Sequence, residues 1–238
     1  MLYYILMDKV INFDNLIKGE RKKYHNPNKK TIQHPARAVV FGPSGSGKTN
    51  ILLNLLFNPL MKMSYQKVYL YAKVLHEPKY EYLIKKFEKI EQKLSKQAKQ
   101  PIQILYACDN LDEVIPVEQL DPEIQSVAIF DDYLNERNQD VIRNYFTFGR
   151  KFNVSSFYLS QNFFEVDRTI RGQCNYIISF RVQNQTDLKR IFNDAIQGIE
   201  WSTVKSVYDE AMRISPHNFI VIDSQTEDEE RRVRIGIL

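Results

Sequence analysis

The run Gly42-Pro43-Ser44-Gly45-Ser46-Gly47-Lys48-Thr49 is a full match to the G-x-x-x-x-G-K-[ST] pattern, and no other stretch constrains the chain as strongly. Arg37 to Phe41, immediately before it, is short, apolar and β-branched and reads as a strand. Asn50 to Leu56, immediately after it, has helical spacing. Strand, glycine loop and helix thus follow in the order that a phosphate cradle needs. Main-chain N–H groups wrap a triphosphate only where no Cβ stands in the way, which is the task of Gly42, Gly45 and Gly47. Pro43, Ser44 and Ser46 complete the loop, and Asn50 follows it in the first turn of the helix. That helix, beginning near Lys48, aims its positive end and its free N–H groups at the phosphates. Lys48 adds a mobile charge near the β and γ groups, and Thr49 offers a hydroxyl to Mg²⁺.

Length and composition bound what surrounds the loop. The 238 residues suit one α/β domain with an N-terminal extension, here taken as an arm and basic linker over 1–35 and the nucleotide-binding domain over 36–238. A hydrophobic content of 43% and a charged content of 26% allow a core of useful size, so disorder is not the expectation. The net charge of +4 favours a polyanionic partner mildly and identifies none. Cys108 and Cys174 match no metal or redox spacing and read as reduced thiols, and His25, His34, His76 and His217 are scattered. The only metal expected is the Mg²⁺ that travels with a nucleotide. The apolar run Met1 to Met7 meets Asp8 long before a bilayer is crossed, and reads as an added strand or packing arm.

Taken in order, Lys18 to Lys30 is a basic stretch broken by Pro27, either a solvated linker or a phosphate-contacting segment. Lys67 to Tyr71 reads as a second strand. Tyr80, Leu83, Ile84, Phe87, Ile90 and Leu94 form a helical stripe, with Lys85, Lys86, Lys89, Lys93 and Lys96 on the other faces as a solvated surface or a DNA contact. Pro101 to Tyr106 suggests another strand, and Asp109 to Pro122 a connection. Ser126 to Phe130 is almost continuously apolar, the pattern of a strand covered on both faces. It delivers Asp131 and Asp132, and a carboxylate at that edge is what a loop-bound metal requires. Asp131 is placed to hold Mg²⁺, directly or through water, and Asp132 to orient or deprotonate the attacking water.

Asn138 to Phe148 reads as a helix closed by Gly149-Arg150-Lys151, followed by a buried strand from Val154 that ends in polar Ser160-Gln161. Gln161 is either a sensor of the γ-phosphate and its water or a plain strand end. Asn175 to Phe180 is a further strand. Asp187 to Ile196 and Ser202 to Ile214 read as helices, the first capped by Thr186 and stopped by Gly198. Asn218 to Asp223 and Arg231 to Leu238 read as a hairpin, in which Arg232 and Arg234 make one face basic or guard an exposed edge.

GPSGSGKT, the strand ending AIFDD, GRKFNVSSFYLSQ, and Ile170-Arg171 followed by Asn175 to Ile178 together resemble the poxvirus-type genome-packaging ATPases of the FtsK–HerA superfamily, found in large DNA viruses, virophages and related elements. The resemblance covers Arg37 to Val182. It implies an α/β P-loop ATPase with a mainly parallel central sheet flanked by helices, using ATP and Mg²⁺ to pull double-stranded DNA into a viral capsid at the virion assembly site. It further implies a homo-oligomeric ring, a pentamer or hexamer, in which an arginine of one subunit completes the next subunit's site. Arg150 is the first choice for that finger, then Arg171, then Arg168. Lys151 stands where relatives often carry histidine, and Asp132 where many superfamily members carry glutamate; the shorter carboxylate suits a water-mediated role. The alternatives are another DNA pump or helicase of the superfamily and a nucleotide-dependent scaffold that does not hydrolyse.

Overall fold

The computed structural model describes residues 28–133, 139–182, 184–195 and 199–238. Eight strands form one sheet: β1 (Arg37–Phe41), β2 (Lys67–Ala72), β3 (Leu105–Cys108), β4 (Ser126–Asp131), β5 (Val154–Ser160), β6 (Tyr176–Ser179), β7 (Ile220–Asp223) and β8 (Val233–Ile235). Their order is β3-β2-β4-β5-β1-β6-β7-β8. The first six run parallel, and β7 and β8 are antiparallel additions at one edge. The sheet is therefore mainly parallel, as its continuous apolar strands predict.

Helices cover both faces. On one lie α1 (Lys48–Phe57) and α2 (Pro78–Ala98), packed with Val40, Leu70, Ile129 and Leu159 of the sheet. On the other lie α3 (Asp140–Phe148), α4 (Arg168–Gln173), α5 (Gln185–Ala195) and α6 (Trp201–Ile214), around Val39, Tyr71, Phe130 and Tyr158. Alternate residues of each strand thus feed opposite cores, the layering that a two-sided sheet demands. In α2 the apolar stripe is buried only over its first half, at Tyr80, Leu83 and Phe87. Each of those side chains contributes on the order of 1.5–3 kcal/mol by burial. Its lysines Lys85, Lys89, Lys93 and Lys96 are exposed.

The segment before β1 is part of the packed structure. Ile32 is buried, Thr31 donates to the Met61 carbonyl at 2.6 Å, and Arg231 donates to the Lys29 and Lys30 carbonyls. His34 sits between Asn153 and Ser155 at the start of β5, 2.6 and 2.7 Å away, and burial holds its pKa below the usual imidazole value.

Several local expectations are corrected. The third strand begins at Leu105, not Pro101, because the Ile104 and Leu105 amides donate to the Glu91 carboxylate of α2 at the strand's entry. The first cap expected at Thr186 is Asn184, whose side chain accepts from the Thr186 amide; Thr186 lies inside α5. The hairpin pairs Ile220 with Ile235 and Ile222 with Val233, but a short helix, α7 (Glu229–Arg232), precedes β8 where a plain turn was expected. Arg234 guards no edge: it is buried and donates to the Ile237 and Arg231 carbonyls. The arm over 1–27, Asn138 and Gly198 lie outside the described residues. No helix among the described residues is long and apolar enough to cross a membrane.

Candidate nucleotide site

β1 is the place where the chain's direction of travel across the sheet reverses, with β5 on one side of it and β6 on the other. Crevices at such switch points, outside the carboxyl ends of the strands, are where open α/β sheets bind ligands. The glycine loop leaves β1 at that point. The Gly42 amide donates to the Ser160 carbonyl at 3.2 Å, which ties the loop's first residue to the end of β5. Gly47 caps α1 with no side-chain bond, leaving the amides of Lys48, Thr49 and Asn50 free of intrahelical partners.

The loop's glycines answer different demands. A Cβ on Gly42 would lie 2.5 Å from Cβ of Phe180 and 3.0 Å from Oγ of Ser46, so contact with its neighbours excludes any other residue. A Cβ on Gly45 would meet nothing within 4 Å, and there the backbone decides, with φ of +75°.

Lys48 donates through Nζ to the Gly42 and Pro43 carbonyls at 2.6 and 3.1 Å. Burial lowers its pKa, opposed by the charges of Asp131, Asp132 and Glu77, which converge on the same region. β4 and β1 are not neighbours: β5 lies between them, in a register that brings Phe41 level with Ser160 and Asp131 level with Leu159. At 4.7–4.9 Å per strand, the loop and the acidic pair are roughly 10 Å apart, with Gln161 between them.

A residue from a fourth element closes the gap. The hydroxyl of Tyr80, in the first turn of α2, donates to Oδ2 of Asp131 and lies beside the Thr49 side chain. One phenol thus bonds one expected metal ligand and lies beside the other. Pro78 at the first helical position starts α2 where β2 has delivered the chain, beside β4. Sequence reasoning placed Tyr80 on a core stripe, and nothing in the local pattern marks it otherwise. The Asp131 carboxyl is pushed up to about 6, first by burial, with Asp132 and Glu77 adding to the rise and Tyr80 and Lys48 opposing it. A half-buried carboxylate undersupplied with positive charge, beside a hydroxyl, is a donor set that fits Mg²⁺, which takes one or two protein oxygens and fills its shell with phosphate and water.

Asp132 behaves differently. It is exposed, its backbone is left-handed at φ of +64°, and it faces a cavity of about 470 Å³ shared with Gly42, Pro43, Ser44 and Gln161. Arg181, just beyond β6, lines the same cavity and was not singled out from the sequence. The three arginines considered as fingers part company. Arg171 lies over the rings of Phe163 and Phe164, with centroids 5.1 and 5.5 Å from its guanidinium carbon, and Arg168 is exposed at the start of α4. Arg150 is exposed before β5, at the opposite edge of the sheet, lining a polar cavity with Arg37 and Arg231. The seven residues of β5 put it roughly 20 Å from its own loop.

A glycine loop between β1 and α1, facing an acidic strand end across one intervening strand, defines a P-loop nucleoside-triphosphate-binding protein. The chain belongs to the Poxvirus A32 protein family, whose profile matches residues 23–234. In fold it is similar to the genome packaging NTPase B204 from Sulfolobus turreted icosahedral virus 2. The complex of that protein with ATP-gammaS superposes with a TM-score of 0.56 at 15% identity, over 85% of this chain and 97% of that one. Its AMPPCP complex gives 0.56 at 16% identity, over 84% and 96%. No curated protein matches the chain.

Proposed function

We propose that this chain is an ATPase that drives double-stranded DNA into a viral capsid. Membership of the Poxvirus A32 protein family and the fold shared with a genome packaging NTPase support the task. The observation that carries the chemistry is the Tyr80 hydroxyl, bonded to Asp131 of the acidic strand and lying beside Thr49 of the loop, since it draws the two halves into one site.

In this reading the loop amides from Gly42 to Asn50 and the start of α1 hold the phosphates, and Lys48 exchanges its loop carbonyls for β- and γ-phosphate oxygens. Thr49 and Asp131 hold Mg²⁺, which neutralises charge on the phosphates. Asp132 and Gln161, on adjacent strand ends, orient the attacking water, and Asp132 accepts its proton. Arg150, too distant to serve its own nucleotide, reaches the site of the next subunit in a ring, where such a charge is worth about 10³–10⁵ in rate.

The test is phosphate release by the assembled protein. Lys48→Ala and Asp132→Asn should abolish turnover, and Asp132→Asn should still bind ATP. Mixing Arg150→Ala with Lys48→Ala should restore part of the activity, because a mixed ring contains intact interfaces. Binding without hydrolysis by the wild type would leave a scaffold instead of a motor, and no recovery at any mixing ratio removes Arg150 as the finger.

A further inference from the structure

A cavity of about 330 Å³ lies at the amino edge of the sheet, where β1 begins and far from the glycine loop in which it ends. Lys29, Arg37, Arg150 and Arg231 line it, and Asp223 is the one carboxylate among its described lining residues. These charges are unevenly answered. Asp223 accepts from the Gln225 amide at 3.1 Å and its charge is felt by Arg234, so it is met within the β7–β8 hairpin. Arg231 commits its fork to the Lys29 and Lys30 carbonyls.

Arg37 and Arg150 remain. Arg37 is half-buried as the first residue of β1, and its guanidinium donates to the Gln173 side-chain oxygen at 3.4 Å. Arg150 is exposed in the 3₁₀ turn that leads into β5. Neither of them, nor Lys29, makes an ion pair among the described residues. The two guanidiniums nevertheless lie close enough to act on each other. Burial holds the Arg37 pKa below its ordinary value; Cys174 opposes that shift and the charge of Arg150 adds to it. Two like charges drawn into one recess with no carboxylate between them make a receptor for an anion, and guanidinium forks match the oxygens of a phosphate group. The pair also joins two strands. β1 and β5 are neighbours, with Arg37 level with Ser156, and their far ends lead to the glycine loop and Gln161.

We propose that this cavity is a second phosphate-binding site, in which Arg37 and Arg150 hold one phosphate group between them with Lys29 beside it. A bound anion relieves the repulsion between the two guanidiniums and grips the entry ends of two strands whose exit ends form the nucleotide site. Two sources offer that chemistry to a packaging motor. One is a phosphodiester of the DNA duplex, and the other is the terminal phosphate of a nucleotide held by the next subunit. In the second case Arg37 works beside Arg150 at that neighbour's site.

The experiment is orthophosphate binding to the full chain carrying Lys48→Ala, followed by phosphorus NMR. Phosphate still held by the loop amides is common to every variant compared and cancels. Arg37→Gln and Arg150→Gln, each added to that background, should weaken binding by about tenfold, and Arg37→Lys should lose less. Arg213→Gln, which removes an exposed cation of α6, should change nothing. A short blunt duplex that displaces the phosphate assigns the site to DNA. Displacement that requires wild-type subunits loaded with a non-hydrolysable ATP analogue assigns it to the neighbour's nucleotide. Displacement by neither leaves an adventitious ion only and overturns the proposal. Unchanged affinity in Arg150→Gln overturns it too, even where Arg37→Gln fails to fold, because Arg150 is exposed. Hydrolysis is not read here, so a wild type that never turns over ATP removes the motor and leaves this site. An affinity unmoved by either substitution removes this site and leaves the motor.

Discussion

Asp131 is held in the folded chain at a cost. Its pKa of about 6 lies above the ordinary carboxylate value, so the folded state takes up a proton more readily than the unfolded one. Above pH 6 the carboxylate is charged in both states and destabilises the fold; as the pH falls through 6 towards 4 that penalty disappears. Asp131→Asn should therefore stabilise the nucleotide-free protein by about 1–2 kcal/mol at pH 7 in urea unfolding, and by only about a third of that at pH 4.5, while ATP hydrolysis collapses. His34 acts in the opposite sense, because burial lowers its pKa and its contribution is lost as the pH drops below the unfolded value. Comparing variant with wild type at each pH cancels that second effect. At Gly42 the limit is space: Gly42→Ala should cost about 1–3 kcal/mol, since Phe180 and Ser46 must both give way, and thermal unfolding measures it. The motif shows that a glycine belongs there; that Phe180 is the obstacle is visible only with β6 beside β1.

At the scale of elements, the site depends on where α2 begins. Pro78 starts that helix close enough to β4 for Tyr80 to bond Asp131 beside Thr49. Tyr80→Phe keeps the ring in its buried position and removes only the hydroxyl that bonds Asp131. It should raise the Mg²⁺ concentration for half-maximal turnover by about tenfold and lower stability by about 1 kcal/mol, with metal-free nucleotide binding unchanged. A loss of nucleotide binding without metal would show that Tyr80 supports the loop instead. The central strands were legible because they bury both faces and so run largely apolar, from Val127 to Phe130 for example. Caps were less legible, because Asn184 and Thr186 are both acceptable caps and the turn before α5 decides between them.

For the whole molecule, the sheet sets a polarity, with nucleotide chemistry at the carboxyl edge and Arg37, Arg150 and Arg231 around a cavity at the amino edge. If the DNA is gripped through its phosphates, affinity should fall steeply with salt and vary little with base sequence; a flat salt response in a filter-binding titration excludes that grip. The amino-acid sequence alone determined the loop, the helix that follows it, the apolar strands and the acids at the end of one of them, because each depends on residues adjacent in the chain and on periods of two or 3.6. Only the tertiary structure decided that β5 inserts between β1 and β4, that Tyr80 joins their ends, and that Phe180 and Phe219 form a wall beside the loop. Those outcomes depend on which strand pairs with which and on how side chains far apart in the chain fill shared space, and local pattern carries no record of either.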